Sequence, residues 1–164
     1  MAVLPIKPAP FFANKNRAFW NLQFAGWGGA MLLRAISAIA NGLPWSFAIL
    51  VLIEGITGLS ISLVLSVIYR KLIKQKQLTT WNAAAIVLAL AVSLYAFVDG
   101  WLFAIYGQAG NASFATLVLG LFYLTLTLLG AWSALYYAIN FYLQLEAQTD
   151  QLARLEMQAT SAQL

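Results

Sequence analysis

The stretch Ser46–Tyr69, SFAILVLIEGITGLSISLVLSVIY, decides how this chain is read. It exceeds the roughly 20 apolar residues that carry a helix across a hydrocarbon core. It holds one ionisable side chain, Glu54, and runs directly into Arg70 and Lys71. Within it Glu54, Gly58, Ser62 and Ser66 recur four apart. That spacing places them on one narrow stripe of a helix, where small residues let a neighbouring backbone approach closely. The expected element is a membrane-spanning helix with its stripe against other helices and lipid around the rest.

Working outward, three more apolar runs of spanning length appear, at about Ala18–Ala40, Trp81–Tyr106 and Ala112–Tyr142. Turn chemistry separates them: Asn41-Gly42-Leu43-Pro44, Lys74-Gln75-Lys76-Gln77 and Gly107-Gln108-Ala109-Gly110-Asn111. No run shows the ten-residue alternation of a transmembrane strand. With 62% hydrophobic and 9% charged residues in 164, lipid is the solvent that fits the surface. The fold class expected is therefore an all-α membrane protein: a four-transmembrane-helix bundle over 18–142, an N-terminal segment over 1–17, and a C-terminal coiled-coil helix over 143–164.

Orientation follows from the cations. Lys7, Lys15 and Arg17 precede the first run, Arg70, Lys71, Lys74 and Lys76 follow the second, and Arg154 follows the fourth, while the other two loops hold no Lys or Arg. The positive-inside rule puts that face, and both termini, in the cytoplasm, so a multi-pass protein of the inner (cytoplasmic) membrane is expected. The same placement explains the basic charge without nucleic acid. There is no cysteine and no histidine, which removes thiolate metal sites and the commonest general base and phosphoryl acceptor. No catalytic residue, metal site or cofactor is expected in these residues.

Three ionisable residues lie within the runs: Arg34 in the first, Glu54 in the second and Asp99 in the third. Counted at about 1.5 Å per residue, each sits roughly 10–13 Å below the outer boundary, so they share a level. A charge there costs several kcal/mol in lipid unless paired or hydrated, and the three are expected to face the bundle interior. In the first run Gln23, Gly26, Ala30, Arg34, Ser37 and Asn41 form one stripe; in the third, Tyr95, Asp99, Phe103 and Tyr106 line one face. One arginine cannot balance two carboxylates, so one of them is protonated or a cation completes the set. The candidates for ligand or proton sensing are Arg34, Glu54, Asp99, Tyr95 and Tyr106. The competing reading is an interhelical clamp between Arg34 and one carboxylate.

The fourth run has no charge between Asn111 and Leu145. Thr116, Gly120, Tyr123, Thr127, Gly130, Ala134, Tyr137 and Phe141 alternate spacings of four and three along it. The pattern continues with Leu145, Leu152 and Ala159 as a positions and Gln148, Leu155 and Ala162 as d positions. Two successive spacings of four, from Tyr137 to Phe141 to Leu145, mark a stutter at the membrane exit. Tyr137, Phe141, Leu145, Gln148, Leu152 and Leu155 are the candidate signal-helix residues.

The exit, Trp132-Ser133-Ala134-Leu135-Tyr136-Tyr137-Ala138-Ile139-Asn140-Phe141-Tyr142, and the Gln/Glu/Leu/Ala helix after it resemble the membrane exit and linker of LytS/AlgZ-like sensor histidine kinases. Phe19-Trp20-Asn21-Leu22-Gln23 with Gly26-Trp27, and Glu54-Gly55-Ile56-Thr57-Gly58 leading to Tyr69-Arg70, are similar to that family's first two spans. The resemblance implies a homodimer through the fourth span and coiled-coil helix, and a kinase part beyond Leu164. That part would bind ATP and Mg, autophosphorylate on histidine and pass the phosphate to a response regulator. The phosphoacceptor box N-P-H-F-L-F-N is not in these residues, so no phosphotransfer role is carried onto any position. The function expected is that of a stimulus-sensing transmembrane module; the alternative is a small four-helix proton- or cation-coupled transporter.

Overall fold

The computed structural model describes residues 11–106 and 110–162. Lys7, loop residues 107–109 and the final Gln163 and Leu164 lie outside them. Among the described residues the chain is all-helical and has no strand. A 3-10 turn, Phe11–Ala13, leads into α1 (Lys15–Ala40), followed by α2 (Ser46–Leu72), α3 (Gln77–Ile105) and α4 (Phe114–Ala162).

Local chemistry sets the boundaries. Asn14 Oδ1 accepts the Arg17 N–H at 3.0 Å and caps α1. At the other end Asn41 Nδ2 donates to the Ser37 carbonyl at 2.7 Å, and Gly42 takes a positive φ of 73° to turn the chain. Arg70 and Lys71 occupy the last turn of α2, where cations complement the helix dipole. The Thr80 hydroxyl donates back to the Leu72 carbonyl at 2.6 Å, tying the α2–α3 connection. Ser113 Oγ accepts the Thr116 N–H at 3.2 Å and opens α4.

α2, α3 and α4 are each long and apolar enough to cross a membrane. α1 is not among them, because Asn21, Gln23 and Arg34 interrupt its apolar character. The helices follow one another: α1 packs on α2, α2 on α3, and α3 on α4 along the most extensive contact, with α2 also touching α4. The α1 and α4 backbones stay apart. One core layer gathers Trp27, Leu65, Tyr69, Val92, Leu129 and Tyr137; a second, toward the α1–α2 turn, gathers Ala38, Phe47, Leu50, Val51 and Leu102.

The stripe of α2 faces inward as its spacing required: Glu54, Gly55, Gly58, Ser62 and Ser66 are all buried. Gly55 lies under Met31, and Gly58 under the Trp27 ring and the Tyr95 hydroxyl, so the small residues seat bulky ones from both neighbours. The stripe expected on α1 is only partly right. Gln23 is buried and Ala30 and Arg34 are half-buried, whereas Gly26, Ser37 and Asn41 are exposed; Trp27 and Ala38, outside that stripe, are buried instead. Bulk decided this, because Trp27 fills the room Gly58 leaves and turns that face of α1 toward α2.

α4 differs more. Its buried face is Leu121, Thr125, Leu129, Ser133 and Tyr137, every fourth residue. Thr116, Gly120, Tyr123, Thr127 and Ala134, of the spacing that leads into the C-terminal heptads, are exposed within the single chain, and Gly130 is half-buried. Only Tyr137 belongs to both faces. Beyond the bundle Leu145, Gln148, Leu152 and Leu155 are exposed on an unbroken helix, α4 running for 49 residues, about 70 Å at 1.5 Å per residue.

Candidate functional site

The charged layer forms where α1, α2 and α3 face one another. Arg34 Nη2 donates to Glu54 Oε1 at 3.0 Å, and Nη1 stands 2.8 Å from Oε2. The second contact is close in distance but off-axis as a hydrogen bond, so the pair is one hydrogen bond plus one charge contact rather than a symmetric fork. The partners are unequal: the Glu54 side chain is 2% exposed and Arg34 39%. The guanidinium also lies over the Phe103 ring, 5.7 Å from its centroid. Among the described residues this is the one ion pair.

Tyr95 joins the layer through the backbone. Its hydroxyl donates to the Glu54 carbonyl at 2.7 Å, bracing α3 on α2 beside the carboxylate. One turn on, Asp99 is 4% exposed, and its Oδ1 has no hydrogen-bond partner among the described residues. Asp99 is therefore a buried carboxyl that Arg34 does not pair. Tyr106, placed on the same sequence face, ends α3 as its C-cap and is exposed. No three His, Cys, Asp or Glu side chains gather into a metal-ligand set among the described residues.

A second polar cluster lies deeper toward the Lys15 and Arg70 end, and the sequence reading missed its connectivity. Trp27 Nε1 donates to Ser62 Oγ at 3.0 Å, the Ser62 hydroxyl reaches Gln23 Oε1 at 3.2 Å, and Trp132 Nε1 donates to the same oxygen at 3.1 Å. This chain joins α1, α2 and α4 through side chains. The available signal was a Gln at mid-helix depth together with Trp residues inside the runs rather than at their ends.

Below it an aromatic collar holds α4. The Tyr69 ring lies 4.9 Å from Tyr137 and its hydroxyl is 2.9 Å from Ser133 Oγ; Tyr136 donates to the Ser66 carbonyl at 3.2 Å. Trp81 at the start of α3 stacks toward both Tyr137 (5.5 Å) and Phe141 (6.1 Å). Two of the six candidate signal-helix residues are thus gripped by α2 and α3, and the other four project beyond the collar. No family model, curated protein or solved structure matches the chain.

Proposed function

We propose that the chain is the membrane-embedded sensing and transmitting module of a two-component sensor histidine kinase of the LytS/AlgZ-like type. The observation that carries this reading is α4: one continuous helix is clamped by the Tyr69, Trp81 and Tyr137 collar and then extends, fully exposed, past every other element. A change in how α1 to α3 pack would reach the collar and turn or slide α4 as a rod, the kind of small helix displacement that switches use.

In this reading α1 is the fourth span. Its polar residues are absorbed by α2, through Arg34 on Glu54 and Gln23 near Ser62, while Phe24, Leu32, Leu33, Ile36 and Ile39 are turned outward to lipid. Both ends are cytoplasmic in the inner membrane. The exposed stripe of α4 pairs with a second copy, and the pairing continues as a coiled coil through Leu145, Leu152 and Leu155. ATP, Mg and the response regulator belong to a downstream kinase part. Single cysteines from Leu145 to Leu155 test the relay. Crosslinking is expected with a heptad pattern that changes when stimulus is applied; an unchanged pattern counts against it.

Asp99 favours a second reading, a proton- or cation-coupled transporter, because an unpaired buried carboxyl is what such a path requires. Asp99→Asn separates the two. For a sensor, the variant abolishes the response in cells while purified protein in proteoliposomes carries no ion flux before or after the change. Flux in the unaltered protein that the variant removes would replace the first reading with the second.

A further inference from the structure

Because the α1 and α4 backbones stay apart, a groove of about 600 Å³ opens between them, within the roughly 300–1,000 Å³ of ligand sites. Its two ends differ in chemistry. At one end stand Lys15, the first residue of α1, and Arg70, in the last turn of α2. Phe19, Leu22, Leu135 and Ile139 make apolar walls farther along, and Gly26 leaves open space on the α1 side. Among the described residues no carboxylate lines the groove.

Gln23 supplies an independent observation. It lines the groove, is 2% exposed, and its Nε2 has no partner among the described residues. The amide cannot be turned round, since Trp132 Nε1 only donates and needs Oε1 at its 3.1 Å position. A buried N–H donor left unmatched is costly, so an acceptor brought to this depth is favoured.

We propose that the groove is a site for one anionic phospholipid of the surrounding bilayer leaflet. The phosphate sits between Lys15 and Arg70, an ester carbonyl below it takes the Gln23 N–H, and an acyl chain fills the wall between α1 and α4. The lipid then fills the gap between the α1 and α4 backbones, beside Trp132 and Tyr136.

The experiment uses the purified full chain in detergent, titrated with phosphatidylglycerol, phosphatidylcholine or inorganic phosphate, and read by native mass spectrometry and thermal unfolding. Phosphatidylglycerol is expected to bind about tenfold or more tighter than phosphatidylcholine, as two cations at a headgroup imply. The Lys15→Gln, Arg70→Gln double variant, altered only at exposed positions, is expected to lose that preference. Gly26→Leu, which enters open space and so preserves the fold, is expected to lower binding of both lipids. Equal retention of the two lipids, a preference that survives the double variant, or equal protection by inorganic phosphate would each overturn the proposal.

Discussion

Arg34→Ala is expected to destabilise the protein more than Glu54→Gln does, and the two changes together less than Arg34→Ala alone. The asymmetry follows from burial. Glu54 is 2% exposed and depends on Arg34, whereas Arg34 is 39% exposed at the outside of the helix packing, where its long stem can carry the guanidinium toward the headgroups. Removing the arginine strands a carboxylate among apolar side chains. Breaking a buried pair costs about 3–5 kcal/mol, and partial exposure of this one places it near the lower bound. Glu54→Gln keeps an acceptor for the guanidinium and leaves a cation that can snorkel, so about 1 kcal/mol is expected. Thermal unfolding of the three variants in detergent gives the order. Equal and additive losses would show that the two side chains do not depend on each other.

Gly58→Leu is expected to have the largest effect of any single substitution. A side chain there would occupy the space of the Trp27 ring and the Tyr95 hydroxyl. Neither can step aside cheaply, because Trp27 Nε1 is held by Ser62 Oγ at 3.0 Å and Tyr95 by the Glu54 carbonyl at 2.7 Å. Overpacking together with two lost buried hydrogen bonds amounts to about 3–5 kcal/mol. The informative partner is Gly120→Leu on α4, where nothing lies within 4 Å. Within one chain it should change stability by no more than about 0.5 kcal/mol. If the exposed α4 stripe is the dimer seam, it should nonetheless shift the protein from dimer to monomer on size exclusion with light scattering. A stable, wild-type-like Gly58→Leu would contradict the packing of α1, α2 and α3. A Gly120→Leu that remains dimeric would move the dimer interface elsewhere.

These two glycines show where reading the chain succeeds and where it stops. The four-residue spacing through Glu54, Gly58, Ser62 and Ser66 is a property of one helix, and it pointed to the buried face correctly. The spacing through Thr116, Gly120 and Thr127 looked equally regular, yet those residues are exposed, while Leu121, Thr125, Leu129 and Ser133 pack inside. Periodicity identifies a distinct face of a helix in lipid; it does not say whether that face meets its own chain or another, since both surroundings favour small residues. The charged layer was legible in part for the same reason. Burying Arg34, Glu54 and Asp99 is costly enough to predict an inward orientation, but not which carboxylate takes the arginine.

The amino-acid sequence by itself determined that this chain is all-helical and that it has helices suited to a membrane. Hydropathy and turn chemistry are local properties, and solvent acts on them locally. Only the tertiary structure decided that Glu54 rather than Asp99 pairs with Arg34, that Gln23 and Ser62 link two tryptophans across three helices, and that α1 and α4 leave a groove between them. Those outcomes depend on the rotation of each helix about its axis. That rotation is set by how bulky residues such as Trp27 and Tyr69 seat against small ones such as Gly58 and Ser133, which no single stretch of sequence contains.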